Sequence, residues 1–535
     1  MNVPTWEGES SGGDAVLFGA LLRTSTHALV GGNPGDYHAT LMQLICEGHP
    51  QITGVSPGIR LVLNKPTVLE EPVLQGDSTA DALGCSIYGS VIDDGGTFRM
   101  WYQAWPRDWD GSDEVSVACA ESDDGVNWRR PSYGLVECSG GKQNNLTDLA
   151  VHCPSVFIDP HGGVEKRYRA FGYTSAEKLK GRYDHDIGAV GYYTAYSPDG
   201  VKWQFDSAEP TWHHADVITS TWDPYAGRAL IALKYNGESA GMFRRRFFTA
   251  HWSDGQATEP VSAFIPDEHD DTAARERGFT SADYYGVGLM PTPGPTIGFL
   301  WNFRHQRPLG YLESQMKSYG RLGRVDLSIV YQLERGGRWL HLPGRPDWLC
   351  AEEAPEWARG ALYTASNPLS VGDETWLYFS GTQDRHGWCG VGMTAREWRS
   401  SLVGSGGFAR IGLAKWRRDR IMGYEASLRE FIDLSAGRTG EGESGGWLAL
   451  NAATRPGGAI RVALLDGNFE PIAGYGLEEC DVLTGDEIEF AVRWRGSPAL
   501  PAVDAARTLT ARVEIDRGTL FAFDFKWGRA APSSH

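Results

Sequence analysis

Carboxylate side chains recur along the chain, each a few residues before a run rich in β-forming residues. A carboxylic acid that donates a proton, together with a carboxylate that removes one or attacks, can carry out acid–base or nucleophilic cleavage. An acid in front of a strand has another common use, because its oxygens accept hydrogen bonds from its own turn. The recurrence favours a shared site over five unrelated turns. The five residues are Asp81, Asp148, Asp216, Asp283 and Glu356.

Imidazole, phenol and guanidinium groups lie beside these acids. His214 belongs to the sequence His213-His214-Ala215-Asp216, where an imidazole next to a carboxylate could transfer a proton or hold a cation, although a hydrogen-bonded rim is the simpler interpretation. Arg359 could clamp a carboxylate or lower a neighbouring pKa. The other candidates for contacting a substrate are His152, Tyr284 and His386.

A repeated phrase indicates how distant acids could be brought together. The first copy is Ser122-Asp123-Asp124-Gly125-Val126-Asn127-Trp128 and the second is Ser197-Pro198-Asp199-Gly200-Val201-Lys202-Trp203. A partial copy is Trp252-Ser253-Asp254-Gly255. Asp-Gly between two β runs predicts a type I′ hairpin turn, which has positive φ at both central residues. Repetition of a small sheet is typical of a β-propeller, whose axis gathers one strand end from every blade.

The pattern predicts an all-β chain: a five-bladed β-propeller followed by a C-terminal β-sandwich. Alternating apolar and polar residues after about 415 continue without the repeated phrase, which favours the sandwich. We expect residues 1–75 to be an N-terminal lead-in packed on the body, 76–415 the propeller, and 416–535 the sandwich. The inner strands of the five blades are predicted at 87–93, 154–159, 219–223, 285–291 and 362–368.

Composition excludes several classes of partner. The chain has 535 residues and a formal net charge of −18, which argues against nucleic acid because binding phosphates needs a basic surface. No apolar run reaches the ~20 residues that cross a membrane, and the start of the sequence has no secretory pattern, so a cytoplasmic location is expected. The eight scattered cysteines fit reduced thiols.

Cofactor motifs are sparse. Asp108, Asp110 and Asp113 alternate as oxygen ligands could around a structural Ca²⁺, but a solvated turn is the simpler interpretation, since the spaced Glu of a full calcium loop is missing. The sequence contains no phosphate-binding loop, no His-Glu-x-x-His and no Gly-x-Ser-x-Gly elbow. We therefore expect no catalytic metal and no organic cofactor.

The sequence around the first repeated phrase resembles a group of bacterial five-bladed β-propeller proteins that are glycoside-hydrolase-like. That group is similar to the invertase/levanase and arabinanase/xylosidase families. The resemblance covers most of residues 60–530 and is specific for the fold, whereas it identifies the substrate only weakly. The resemblance depends on residues 115–131, 133–137 and 144–146. It also depends on two short motifs in the predicted sandwich, Leu448-x-Leu450-Asn451 and Gly458-x-x-Arg461-Val462.

The resemblance implies a glycosidase that cleaves a furanoside of fructoside or arabinoside type, or a related small glycoside, with carboxylates at the axis. Asp216 and Asp283 are the leading catalytic pair and Asp81 is the third. Expected partners are an oligosaccharide or small glycoside substrate and, in a homo-oligomer, further copies of the chain. The related families place Asp-Pro where this chain has Cys153-Pro154, which makes His152 a candidate for the axis.

Two other functions stay open at this point. One is a sugar lyase or transferase in which His152 or His214, with a tyrosine such as Tyr284, moves a proton. The other is a carbohydrate-binding propeller without catalysis. Replacing Asp216 or Asp283 with Asn distinguishes them, because a binding protein has no turnover to lose.

Overall fold

The computed structural model describes residues 42–529, apart from residues 111–115, 180, 215, 240–241, 307–322, 387–394, 437–444 and 502–508. Within these ranges no helix is both long and apolar enough to span a membrane. The described cysteines are Cys46, Cys85, Cys119, Cys138, Cys153, Cys350 and Cys480, and each is a free thiol.

The first described segment is spread over two sheets. Its first three strands pair with strands of the C-terminal sheet, and the next two pair with the last strand of the fifth propeller sheet. The first described segment therefore contributes strands both to the C-terminal sheet and to the fifth propeller sheet. These strands are β1 (Gln43–Leu44), β2 (Ile52–Val55), β3 (Arg60–Leu63), β4 (Thr67–Val68) and β5 (Leu74–Gly76).

The next part of the chain forms five antiparallel sheets in succession, as the alternating pattern predicts. The first sheet contains β6 (Gly84–Asp93), β7 (Phe98–Trp105) and β8 (Val117–Ser122). The second contains β9 (His152–Ile158), β10 (Tyr168–Thr174), β11 (Gly191–Ser197) and β12 (Gln204–Phe205), with helix α1 (Ala176–Leu179) after β10. The third contains β13 (Ile218–Asp223), β14 (Arg228–Ser239), β15 (Met242–Ser253), β16 (Gln256–Ala257) and β17 (Val261–Phe264).

The last two propeller sheets follow helix α2 (Glu268–Glu276), whose N-cap Asp267 side chain accepts a hydrogen bond from the backbone of His269. The fourth sheet contains β18 (Ser281–Met290), β19 (Thr296–His305), β20 (Gly323–Gln332), β21 (Trp339–His341) and β22 (Asp347–Leu349). Two short 3₁₀ helices follow at Ala351–Glu353 and Glu356–Ala358. The fifth sheet contains β23 (Ala361–Thr364), β24 (Leu369–Val371), β25 (Glu374–Thr382) and β26 (Gly406–Arg417), with α3 (Ala395–Leu402) before β26.

The first strands of the five sheets form the inner wall of the propeller. Each of β6, β9, β13 and β18 contacts the next inner strand, and β23 contacts β6, which completes the circle. These strands overlap all five predicted inner-strand ranges, and the predicted five-bladed propeller with a C-terminal sandwich is confirmed. A single parallel bridge between Val325 and Ala361 joins the fourth sheet to the fifth.

The repeated phrase forms a turn, but not the type I′ turn that its Asp-Gly pair predicts. In both full copies only the glycine has positive φ, at 71° for Gly125 and 73° for Gly200. The preceding aspartate instead caps the turn, and Asp124 Oδ1 accepts from the backbone N–H groups of Val126 and Asn127. The pair of positive φ angles that a type I′ turn needs does occur in the partial copy, where Asp254 and Gly255 have φ of 50° and 79°.

Each full copy of the turn also fastens its sheet to the preceding one. The Gly200 carbonyl of the second sheet accepts from Trp101 Nε1 of the first sheet at 2.6 Å. In the same way, the Gly125 carbonyl of the first sheet accepts from Tyr378 Oη of the fifth sheet at 2.8 Å. In both full copies the glycine carbonyl thus accepts a hydrogen bond from an aromatic side chain of the neighbouring blade.

The C-terminal domain is the β-sandwich. Its two longest strands pair along most of their length. Its buried interior includes Ile432, Leu450, Val462, Val513 and Phe523. The strands are β27 (Met422–Ala426), β28 (Glu430–Ser435), β29 (Gly446–Leu465), β30 (Asp486–Ala491) and β31 (Thr510–Trp527).

Buried hydroxyl groups fill the middle of the propeller axis. Ser155 Oγ of β9 lies 2.9 Å from Ser220 Oγ of β13 and 2.6 Å from Ser366 Oγ, which follows β23. Ser366 Oγ in turn donates to the Gly89 carbonyl of β6 at 3.1 Å. These small polar groups satisfy one another and link the inner strands across the axis.

Candidate active site at the propeller axis

A group of polar side chains meets above the buried serines, where the inner strands begin. Lys234 Nζ donates to Asp216 Oδ2 at 2.5 Å, and His152 Nε2 lies 4.0 Å from Asp216 Oδ1. The Lys234 ammonium lies 3.8 Å from the centre of the Tyr285 ring, within reach of a cation–π interaction. These four side chains come from the second, third and fourth sheets.

Aromatic rings from the other two sheets close the circle. The Tyr285 and Tyr363 ring centres are 5.7 Å apart, those of Tyr363 and Tyr88 are 5.0 Å apart, and those of Tyr88 and His152 are 5.5 Å apart. All five sheets therefore contribute to one closed ring of contacts around the axis. We call this set the axial ring: Tyr88, His152, Asp216, Lys234, Tyr285 and Tyr363.

Asp216 is the carboxylate that the axial ring presents to solvent. Its side chain is 36% exposed, and it precedes β13 with φ of 109°, a conformation that non-glycine residues rarely adopt. Burial alone would raise the pKa of this carboxyl, but the Lys234 ammonium and then His152 outweigh burial and hold its pKa below the ordinary value. A strained, ionised and accessible carboxylate is what a catalytic base or nucleophile requires.

Lys234 lies beneath Asp216 and has no exposed side-chain surface. Burial lowers its pKa, and the Asp216 carboxylate opposes this by favouring the charged ammonium. The two groups therefore stabilise each other's ionised forms. The sequence contains a signal for this residue, because Lys234 interrupts the apolar run Leu230-Ile231-Ala232-Leu233, and lysine is rarely buried without a partner.

His386 lies beside the axial ring, next to Tyr285. His386 Nε2 and Tyr285 Oη are 3.0 Å apart, and the His386 ring also packs against Phe303 and Tyr363. Burial raises the pKa of Tyr285 well above its usual value, so its phenol keeps the proton that it can donate. Of the predicted site residues, the structure thus brings together His152, Asp216 and His386.

Asp283 lies one layer behind the axial ring and is completely buried. Its Oδ1 accepts from Arg244 Nε at 3.2 Å, and its Oδ2 accepts from Arg245 Nη1 at 3.0 Å and lies 3.2 Å from His305 Nε2. Arg245 connects it to the ring, with its guanidinium 5.8 Å from the centre of the Tyr285 ring. The predicted catalytic role needs direct contact with a substrate, and a completely buried carboxylate does not offer it. Asp283 is better explained as a structural counterion.

Asp81 is also completely buried, and its oxygens are used by local donors. Oδ1 accepts from the Ser78 backbone and hydroxyl at 3.0 and 2.7 Å, while Oδ2 accepts from Tyr102 Oη and Arg130 Nε, both at 2.8 Å. The carboxylate thus holds a turn, which is the alternative that an acid before a strand allows. Its predicted catalytic role does not fit a group that has no exposed surface.

Asp148 and His214 are placed outside the axial ring. Asp148 Oδ1 accepts from the Trp203 backbone at 2.7 Å, which ties the loop before β9 to the second repeated turn. His214 Nε2 accepts from the Asn236 backbone at 3.2 Å, and its ring stacks on Tyr235 with centres 4.0 Å apart. Both have structural hydrogen bonds where substrate contacts are predicted.

Tyr284 points away from the axis, whereas its neighbour Tyr285 points toward it. Tyr284 Oη donates to Asp270 Oδ2 at 2.6 Å and lies 3.0 Å from His341 Nε2, and the Tyr284 ring is buried between the third and fourth sheets. Adjacent strand residues point to opposite faces, and β18 also has a register shift at this position. The tyrosine at the axis is therefore Tyr285, one residue after the predicted Tyr284.

Glu356 and Arg359 lie at the periphery, where both are exposed. Glu356 begins the second 3₁₀ helix, and Arg359 Nε donates to the Ala354 carbonyl at 3.3 Å. Arg359 lines a surface groove together with Lys65 and Glu353, which form their own ion pair. The axial ring does not include either predicted residue.

The structure also bears on metal binding. Among the described residues, one group has the spacing of metal ligands: Asp326, Asp347 and Cys350. The Arg304 guanidinium forms ion pairs with both carboxylates of this group. A cationic partner at this position disfavours a metal ion. In the segment suggested for Ca²⁺, Asp108 Oδ2 accepts from the Ser139 backbone at 2.9 Å, and Asp113 lies outside the described residues. The absence of a catalytic metal or cofactor stays a prediction.

Four residues at or next to the axial ring have no signal in the sequence that marks them as site residues, unlike an acid that precedes a strand. Tyr88, Tyr285 and Tyr363 lie in inner strands, where tyrosine is common for packing alone. Gln103, whose Oε1 is 3.1 Å from His152 Nδ1, lies in β7 of the first sheet. Their shared position appears only when the sheets are arranged around an axis.

Comparisons with known sequences give one short similarity. No family model matches the chain. Two uncharacterized proteins of Mycobacterium tuberculosis, from strains CDC 1551 / Oshkosh and ATCC 25618 / H37Rv, are each 30% identical to it over 139 residues. The match covers 25% of this chain, and the chain spans 38% of the length of these curated relatives.

Comparisons with solved structures give distant similarities. An exo-β-1,3-galactanase from Phanerochaete chrysosporium, solved with β-1,3-galactotriose, is 12% identical, with 86% of this chain and 100% of that chain covered and a TM-score of 0.34. A fructofuranosidase from Schwanniomyces occidentalis, complexed with fructosylnystose, is 8% identical, with 85% and 97% covered and a TM-score of 0.37.

A third solved structure is an N-acetylgalactosamine deacetylase from F. plautii in complex with blood group B trisaccharide. It is 14% identical, with 67% of this chain and 96% of that chain covered and a TM-score of 0.38. At such TM-scores the similarities assign neither a substrate nor a residue role to this chain. Its own sheets show the architecture that the sequence resemblance implies, a five-bladed β-propeller followed by a β-sandwich.

Proposed function

We propose that the chain is a glycoside hydrolase that works at the axial ring. The observation that carries this proposal is the position of Asp216, an ionised and partly exposed carboxylate encircled by side chains from all five sheets. A glycosidic bond is cleaved when a carboxylate activates water or attacks the anomeric carbon while an acid protonates the leaving oxygen. Asp216 takes the first role in this proposal.

The proton donor is proposed at the part of the axial ring that follows Lys234, at Tyr285 and its neighbour His386. His152 Nε2 is 4.0 Å from Asp216 Oδ1, which is closer than the ~5–9.5 Å that separates the two groups flanking a glycosidic bond. His152 therefore serves on the same side as Asp216. We propose the Tyr285–His386 pair as this acid because its members are hydrogen-bonded and Tyr285 lies next to Lys234 in the ring.

In the proposed reaction, Asp216 removes a proton from water as the oxygen attacks the anomeric carbon. The bond to the leaving oxygen breaks with both electrons on that oxygen, which takes a proton from the Tyr285–His386 pair. Asp216 then passes its proton to His152 and solvent, and the pair regains one from solvent. The balance is the addition of one water molecule across the glycosidic bond.

A sugar lyase is a second candidate, favoured by the short distance between His152 and Asp216. In an elimination, a base removes a proton from the carbon next to a carboxylate and a neighbouring acid protonates the leaving oxygen on the same face. A carbon–carbon double bond forms and no water is consumed. Two proton-transfer groups 4.0 Å apart suit that geometry.

A substrate panel tests the proposal. Purified full-length protein is incubated with chromogenic α- and β-furanosides and pyranosides, and with uronic-acid oligosaccharides monitored for the ultraviolet absorbance of an unsaturated product. We expect release of the chromophore by the wild-type protein and loss of release in Asp216→Asn. An unsaturated product supports the lyase instead. Turnover that is unchanged in Asp216→Asn overturns both candidates. The fructoside or arabinoside preference is part of the proposal, and the same panel decides it.

A further inference from the structure

We infer that Gln103 is a positioning residue that fixes the tautomer of His152, so that the neutral imidazole keeps its hydrogen on Nδ1 and directs the lone pair of Nε2 toward Asp216. Gln103 lies in β7 of the first sheet and is buried. It is not among the site residues that the sequence predicts. The catalytic consequence rests on the proposed function, whereas the tautomer itself does not.

The orientation of the Gln103 amide follows from its two neighbours. On one side its Nε2 is 3.1 Å from the Ser116 carbonyl oxygen, which can only accept a hydrogen bond. The amide must therefore present its NH₂ group to Ser116 and its oxygen to the other side. That oxygen, Oε1, is 3.1 Å from His152 Nδ1.

The tautomer of His152 follows in turn. An amide oxygen only accepts, so Nδ1 must carry a hydrogen and donate it to Gln103. In the neutral imidazole the lone pair is then on Nε2, which is the atom 4.0 Å from Asp216 Oδ1. Any proton that His152 gains or loses is held at Nε2, on the side of the axial ring. Partners behind a functional histidine commonly set its orientation in this way.

The position of this chain of contacts supports a role in the site. It runs from Ser116 through Gln103 to His152 and then to Asp216, and it joins the first sheet to the second and third. The His152 side chain is 25% exposed. Gln103 itself is buried and acts only through the imidazole.

The tautomer can be read by nitrogen NMR on the full-length protein labelled with ¹⁵N-histidine, with the His152 signals assigned by comparison with His152→Gln. We expect His152 in the Nδ1–H form. His185 is an internal reference, because its Nε2 is 2.6 Å from the Asp148 carbonyl and must carry the hydrogen there. An Nε2–H form or an even mixture at His152 would overturn the inference.

Two substitutions separate the tautomer effect from a general loss of structure. Gln103→Met removes the acceptor at similar volume and should abolish the preference for Nδ1–H, whereas Gln103→Glu keeps an acceptor oxygen and should retain it. Gln332→Met is the matched control, since Gln332 is another buried amide with two backbone hydrogen bonds, in the fourth sheet. An unchanged His152 tautomer in folded Gln103→Met contradicts the inference.

Activity provides a second readout once a substrate is known. Loss of a partner behind a functional group typically costs 10–100-fold, so Gln103→Met should lower kcat/KM by about 10-fold or more while Gln332→Met keeps it. Gln103→Glu should restore activity and move the pH profile upward, because a carboxylate favours the imidazolium. If no glycoside is cleaved but the tautomer is as expected, the proposed function fails and the inference about Gln103 stands.

Discussion

Lys234 Nζ and Asp216 Oδ2 are 2.5 Å apart, and this ion pair joins a completely buried cation to a partly exposed carboxylate. The lysine comes from β14, the second strand of its sheet, and the aspartate from the loop before β13, the first strand. The pair keeps Asp216 ionised, and the Asp216 side chain is 36% exposed. The proposed function depends on this relationship.

Asp216→Asn should lower turnover strongly, and circular dichroism is used to verify that the variant is folded, because the buried Lys234 loses its carboxylate partner. Removal of a catalytic base commonly costs 10²–10⁴-fold, so we expect kcat to fall by at least about 100-fold. Because the pKa of Asp216 is held below its ordinary value, wild-type activity should not lose this base until the pH falls below ~4. The matched control is Asp186→Asn, an exposed acid in an outer groove with His185 and Trp203. Equal loss in both variants would show that the effect is not specific to the axis.

Asp283→Asn should destabilise the protein much more than an exposed acid does. It removes the buried anion that Arg245 and His305 share with Arg244, which keeps its other pair with Asp271, and breaking such an interaction typically costs about 3–5 kcal/mol. Asp123→Asn removes an exposed partner of Arg129 and should cost at most about 1 kcal/mol. Urea unfolding followed by circular dichroism measures both. Similar midpoints for the two variants would contradict a structural role for Asp283.

Much of this fold could be predicted from the sequence, because it depends on local patterns. Alternation of apolar and polar residues located the strands, and a recurring turn indicated blades. The site is different, since it depends on which face of a strand each residue occupies. One position decides between Tyr284 and Tyr285, and the register shift in β18 is not visible in the sequence. An aspartate before a strand is equally compatible with a turn, as at Asp81, and with an exposed carboxylate, as at Asp216.

Gly200→Ala should weaken the contact between the first two blades. A Cβ at this position would lie 2.6 Å from Trp101 Cζ2, and the residue has φ of 73°, so the variant is both strained and overpacked. We expect a loss of about 2–4 kcal/mol from the two effects together. Gly227→Ala is the control, because Gly227 has φ of 63° but an added Cβ would meet nothing within 4 Å. Its unfolding midpoint should fall less, and an equal fall would exclude the packing explanation.

Asp419→Asn should remove a pH dependence of stability. Asp419 is buried between the propeller and the sandwich, where burial raises the pKa of its carboxyl to about 7. A folded state that prefers the neutral acid is favoured fully below the unfolded pKa of ~4, and the advantage is lost as the pH rises through about 7. That difference corresponds to about 4 kcal/mol.

The Asn side chain stays neutral and can still accept the hydrogen bond that Met42 N donates to Asp419 Oδ2 at 3.1 Å. Asparagine also tolerates the φ of 61° found here. The variant should therefore unfold at a higher temperature than the wild type at pH 8, with the difference disappearing near pH 4. The comparison is made between the two proteins at each pH, since buried histidines such as His49 also titrate. A wild type that is more stable than the variant at pH 8 contradicts this assignment.

The location of a bound sugar tests the central claim most directly. A crystal structure of Asp216→Asn with a glycoside identified by the substrate panel should show the sugar above the axial ring, with a glycosidic oxygen or anomeric carbon within about 3.5 Å of residue 216. His152 and Tyr88 should line the same side of the ligand. A sugar bound instead in the outer groove beside His185 and Trp203, or in the groove beside Lys65 and Arg359, would contradict the account.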